Sequence, residues 1–113
     1  MATGKAVKRA AIAAGNKGRP RKIRVLQSEP EITQFSPRGR IGRPDHKELK
    51  FEEFEAIRLA DHVGVNQAEA AAFMGISQQT FSRVLKSARK NLAEALVKGK
   101  IIQVKGGDFK VEK

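Results

Sequence analysis

Residues Gln67 to Lys86, QAEAAAFMGISQQTFSRVLK, constrain the fold more than any other stretch of the chain. Two helical patterns meet there at Gly75. Asn66 is placed to cap the first, with Glu69 three residues on to close a capping box. Ala70, Ala71 and Met74 give that helix its inner face. Gly75 stands where the chain must turn sharply, and glycine accepts the positive φ such a turn uses. Ile76 is the apolar plug of the turn, and Ser77 caps the second helix. Phe81, Val84, Leu85, Ala88, Leu92, Ala95 and Leu96 recur at helical spacing on one face of that second helix. An ordinary amphipathic hairpin would share this periodicity. The small residues at the crossing, the glycine in the turn and the spacing of Met74, Ile76, Phe81 and Val84 favour a helix-turn-helix.

The opposite face of the second helix carries Gln79, Ser82, Arg83, Lys86 and Lys90, and no carboxylate. That is the composition a major-groove helix requires, because a carboxylate there would repel phosphate. Glutamine pairs bidentately with adenine and arginine with guanine, while lysine suits phosphate. The 113 residues carry a net charge of +11, which points to nucleic acid before a membrane surface or an acidic protein. Double-stranded DNA is therefore the expected partner.

Residues 1–18 read as a disordered basic arm. Met1 to Arg24 holds eight Lys or Arg and no acid, and too little apolar bulk for a core. KGRPRK, Lys17 to Lys22, resembles the core of an AT-hook. Arg19, Arg21 and Lys22 are thus candidate contacts to a narrow minor groove or to flanking phosphates. Residues 19–48 read as an extended segment with one short edge strand at Arg24-Val25-Leu26 and a Pro/Gly/Arg-rich loop from Ser36 to Lys47. Its second Gly-Arg-Pro, Gly42 to Pro44, precedes Asp45 and reads as a turn.

Residues 49–98 read as the helix-turn-helix domain. A helix over Leu49 to Val63, with Phe54, Ala56, Ile57, Leu59, Ala60 and Val63 on its apolar side, completes a three-helix core and ends at Gly64. Glu52, Glu53 and Glu55 read as charges favoured by the helix dipole. The last helix runs to Lys98 and stops at Gly99. Its stripe of Leu85, Leu92 and Leu96 could form a homodimer seam, core packing being the expected use. Residues 99–113 read as a β-hairpin, Ile101–Val104 and Asp108–Val111 about Gly106-Gly107. The hairpin is expected to pack on the helices or pair with the strand near Val25. The fold class is then mainly α, a three-helix helix-turn-helix domain with a C-terminal β-hairpin and a basic arm.

RPRK (Arg19 to Lys22), FSP (Phe35 to Pro37), FEAIRLAD (Phe54 to Asp61), the run from Gln67 to Lys100 and the Gly106-Gly107 pair carry a family resemblance. From Gly18 to Gly107 the chain resembles a family of small uncharacterised prokaryotic proteins predicted to bind DNA, whose helix-turn-helix is similar to region four of sigma factors. The resemblance implies that Gln67 touches phosphate, that Ser77, Gln78, Gln79, Ser82 and Arg83 lie at or near base edges, and that Lys86 sits on the backbone. Many members carry cysteines where this chain has Ile23 to Leu26, so no metal or redox role carries over. Met1 to Lys17 reads as an extension.

The expected function is sequence-specific DNA binding in transcriptional regulation. The alternatives are an architectural nucleoid protein with little sequence preference, or a module that meets RNA polymerase or an anti-sigma partner. Without cysteine the chain has no disulfide, no thiolate-ligated zinc and no thiol catalysis. His46 and His62 join no metal or triad spacing, so neither an enzyme nor a cofactor is expected. No apolar run is long enough to span a bilayer. A cytoplasmic, nucleoid-associated protein follows.

Overall fold

The computed structural model describes residues 23–39, 42–107 and 109–111. The basic arm, with Arg19, Arg21 and Lys22, lies outside the described residues. Three short strands come first: β1 (Arg24–Leu26), β2 (Gln34–Phe35) and β3 (His46–Leu49). Three helices follow: α1 (Phe51–Ile57, continued by a π-helical turn over Arg58–Val63), α2 (Gln67–Met74) and α3 (Gln78–Lys98). Two strands close the chain, β4 (Ile101–Val104) and β5 (Phe109–Val111).

The three-helix core is as the periodicity predicts. Ala56 and Leu59 of α1, Ala70, Ala71 and Met74 of α2, Ile76 in the turn, and Phe81 and Leu85 of α3 are all buried in one cluster. Asn66 caps α2, its Oδ1 accepting from the Glu69 amide at 2.8 Å. Its Nδ2 donates to the Glu69 carboxylate at 3.3 Å, so the box closes through the side chain. Ser77 Oγ caps α3 by accepting from the Thr80 amide at 3.1 Å. Gly75 takes φ +68, a conformation in which any other residue would be strained, and it packs beside Val25 of β1. Gly99 ends α3 with φ +64.

The first helix starts two residues later than its pattern suggests, because Leu49 belongs to β3. Its last turn is wider than α: the Gly64 amide bonds to the Leu59 carbonyl at 2.9 Å, five residues back. The wider turn takes Val63 off the inward face and leaves it exposed.

The hairpin expectation is wrong. β4 and β5 do not pair with each other. β4 lies between β2, antiparallel, and β3, parallel, while β5 pairs parallel with β1, Val25 opposite Lys110. The expected strand at Arg24-Val25-Leu26 is present, and its pairing with the C-terminal segment is the part of the reading that stands. Parallel neighbours need a long crossover; here all three helices form it, between β3 and β4. The reason is burial. Distributed this way, Leu49 and Val104 pack beside Ala88, and Leu26, Phe109 and Val111 pack together under Phe51. An isolated hairpin would leave β1 and β3 unpaired.

Gly106 and Gly107, with φ +82 and +95, serve this crossing from β4 to β5. A Cβ at Gly106 would collide with the Glu48 carboxylate, and one at Gly107 with that of Glu52. The Gly106 carbonyl also accepts from the Phe51 amide at 3.2 Å, at the start of α1. The segment read as a loop to Lys47 ends in β3. Along α3 the apolar stripe divides: Leu85 and Ala95 are buried and Leu92 half-buried, but Leu96 is 70% exposed. Core packing therefore does not account for Leu96, and Leu85 is unavailable to any seam.

Candidate nucleic-acid interface

On α3, five side chains predicted to face a partner fall on one arc. At 100° per residue Gln79, Ser82, Arg83, Lys86 and Lys90 span roughly a quarter to a third of the helix circumference. All five are exposed, as are Ser77 and Gln78 at the helix start. Among the described residues Arg83, Lys86 and Lys90 form no ion pair, whereas Arg89, just off the arc, is bound to Asp61 at 2.7 Å. That pairing occupies the Asp61 carboxylate through both oxygens. The guanidinium of Arg89 holds the Asp61 carboxyl below its ordinary value, and its own proton is held more tightly in return.

Gln67 opens α2, and its Oε1 accepts a hydrogen bond from Ser82 Oγ of α3. This contact joins the start of α2 to the middle of the arc across fifteen residues of sequence. Ser77 Oγ donates to Thr80 Oγ1 at 2.9 Å, so its hydroxyl is engaged with its own helix. Seven of the eight predicted positions on this pair are thus exposed, with Gln67 half-buried beside them.

Two cations at this edge were not foreseen from the sequence. Arg24 of β1 and Lys50 line, with Arg83, Val84 and Ser87, a hollow of about 220 Å³ floored by Glu52 and Glu53. Glu52 pairs with Arg24 at 3.7 Å. Glu53 accepts from the Lys50 amide at 2.9 Å and from Ser87 Oγ at 2.7 Å. No local signal could have found this meeting, since β1 stands some sixty residues before Arg83. Its consequence is positional: Arg24, the first strand residue after Arg19, Arg21 and Lys22, is next to Arg83 of α3.

Among the described residues no group of three or more acidic or histidine side chains is placed to hold a metal ion. No described helix is long and apolar enough to cross a membrane.

Residues 11–112 match a family described as "Protein of unknown function DUF134". The chain belongs to this family. The DUF134 match extends beyond Gly18 to Gly107 at both ends, so residues 11–17 fall within it and only residues 1–10 of the segment read as an extension precede it. A UPF0251 protein of Methanococcus maripaludis strain C7 is 45% identical over 96 residues, which is 84% of this chain and 74% of the relative. One from Thermoanaerobacter pseudethanolicus is 47% identical over 94 residues, 82% of this chain and 80% of the relative. One from Chlorobaculum tepidum is 48% identical over 95 residues, 82% of this chain but 48% of the relative. No solved structure matches the chain.

Proposed function

We propose that this chain binds double-stranded DNA sequence-specifically, as a transcriptional regulator, with α2 and α3 acting as a helix-turn-helix of the sigma-region-four kind. The observation that carries this reading is the exposed, acid-free arc of Gln79, Ser82, Arg83, Lys86 and Lys90, locked to the start of α2 by the Gln67–Ser82 hydrogen bond. In this reading α3 enters the major groove. Gln79 and Arg83 read base edges, Ser77, Gln78 and Ser82 lie beside them, and Gln67, Lys86 and Lys90 meet phosphate. The position of Arg24 beside Arg83 supports a second contact. It starts the arm next to the reading helix, so Arg19, Arg21 and Lys22 can reach the adjacent minor groove or its phosphates.

Selection of bound sites from a random duplex pool tests the reading. An enriched motif that Arg83→Ala abolishes or relaxes at one position is the expected result. The net charge of +11 favours a second reading, architectural binding with little sequence preference. Salt-sensitive binding with no enriched motif would select it. Binding to RNA polymerase without DNA, unchanged by Arg83→Ala, would overturn both.

A further inference from the structure

We infer that Ser82 selects a base that carries an amine in the major groove, adenine or cytosine, and that Gln67 is the positioning residue that makes it do so. A serine hydroxyl left to itself is one donor and two acceptor lone pairs, and it rotates to suit either kind of base edge. Ser82 is not left to itself. Its Oγ donates its single proton to Gln67 Oε1 of α2, while the side chain stays exposed on the arc of α3. An amide oxygen only accepts, so the hydroxyl that faces it must donate. Arg83 and Lys86, its neighbours on the arc, carry donors alone, and neither can take that proton in place of Gln67.

With its proton committed, Ser82 has only lone pairs to offer whatever α3 meets. In the major groove the donors are N6 of adenine and N4 of cytosine, whereas guanine presents N7 and O6 and thymine O4, all acceptors. An oxygen with no proton to give is matched by the first two bases and repelled by the others. Each base pair carries one such amine, so Ser82 distinguishes the strand on which the amine lies and not A·T from G·C. The preference at its position is therefore for A or C on the contacted strand and against G and T.

The same bond sorts the polarity of Gln67. Its carbonyl oxygen is engaged, and its amide nitrogen keeps two N–H donors, which a phosphate oxygen can accept. One contact thus gives α2 a donor for the DNA backbone and α3 an acceptor for a base, from two side chains that each carry both functions when apart. The assignment rests on the DNA-binding reading and names what one position of the bound site must be.

Selection from a random duplex pool tests it, with the full chain as wild type, Gln67→Met, Gln67→Glu and Ser82→Ala side by side. One position of the wild-type motif should favour A or C over G or T on one strand by about five- to ten-fold, the worth of one hydrogen bond. Gln67→Met keeps the length of the side chain and removes its acceptor. That position alone should relax to all four bases, while affinity falls on every sequence. Gln67→Glu keeps an acceptor, so the preference for A or C should persist through a similar loss of affinity. Ser82→Ala should abolish the preference, and adding Gln67→Met to it should change that position no further. Neither residue belongs to the buried core, and an unchanged helical circular dichroism spectrum checks that each variant is folded. A motif whose preference survives Gln67→Met, that favours G or T where Ser82 acts, or that has no position responding to Ser82→Ala overturns the assignment and leaves the DNA-binding reading standing. No enriched motif for any variant or for wild type removes that reading and the assignment together.

Discussion

The α2–α3 pair and the collar of strands around the start of α1 are held by different forces. The pair is closed by a dry cluster, with Met74, Phe81, Leu85 and the small Ala70 and Ala71 packed to near-zero exposure. The collar buries three carboxylates, Glu52, Glu53 and Glu55, within four residues of one another. Two of them hold β1 and one holds α3. Glu52 holds β1 through Arg24; Glu53 holds α3 through Ser87 and Asn91; Glu55 holds the end of β1 through the Gln27 amide at 3.0 Å, and Arg58 at 2.8 Å. Apolar packing is non-directional and stabilises in proportion to buried area. A buried carboxylate is costly unless its partners are in place, so its net contribution is small and its demand for the right neighbour is large. The pair therefore supplies stability, and the collar fixes which segment lies where.

Removing Phe81 should have the largest effect. It is fully buried between all three helices, and Phe81→Ala should cost about 3–5 kcal/mol. Urea unfolding followed by circular dichroism measures this. A loss below about 1 kcal/mol would mean that the cluster is not the main support of the fold.

Glu55→Gln breaks the collar without changing its volume. It removes the charge that Gln27 and Arg58 share, and Arg58 holds its proton more tightly because of that carboxylate. The expected cost is about 1.5–3 kcal/mol, the range for hydrogen bonds to a charged group. If the collar specifies position, hydrogen exchange at Val25 and Lys110, in the β1–β5 pair, should rise more than exchange in α2. Equal acceleration in both would mean that the two regions unfold as one.

This contrast also sets what was legible in the sequence. The helical pair was readable because its signals are local: Asn66 and Ser77 cap within three residues, Gly75 marks its own turn, and Phe81 to Ala88 repeat every turn. The candidate DNA-reading residues were readable for the same reason, since they are the other side of that repeat. The collar was not. Strands of two to four residues carry almost no periodicity, and β3 pairs with β4 across some fifty intervening residues. Gly106-Gly107 looked like a hairpin turn because nothing near it in the chain reveals that Glu48 and Glu52 occupy the space beside it. Glu52, Glu53 and Glu55 looked like ordinary helix-start charges, as their partners lie up to 38 residues away.

On DNA the polar arc should separate from both supports. Arg83→Ala should cost about 1–3 kcal/mol on the preferred site if it makes a bidentate base contact. Lys86→Ala should weaken all sequences alike and lower the salt slope by about one. Both residues are exposed, so stability should change by less than about 0.5 kcal/mol. Equal loss for Arg83→Ala on preferred and random DNA would remove it from base reading.

The smallest effect concerns a half-buried ion cluster that ties the strands to α3. Glu94 accepts from Lys100 at 2.6 Å and lies 3.3 Å from Lys47. The hydrogen bond from Lys100, then that from Lys47, lowers its carboxyl from an ordinary 4.5 to about 2. A carboxylate with a lowered folded value stabilises the fold above its unfolded value and loses that contribution as pH falls through the folded one. The difference in urea midpoint between wild type and Glu94→Gln should thus be constant above about pH 5.5. It should shrink from pH 4.5 toward pH 2, and at neutral pH it should shrink with added salt, because the pairs are partly open to solvent. Asp61 also titrates low, but it is present in both proteins and cancels in the difference. A difference unchanged from pH 7 to pH 2.5 would mean that Glu94 joins the strands to α3 by packing, as the apolar pair is joined, and not by charge.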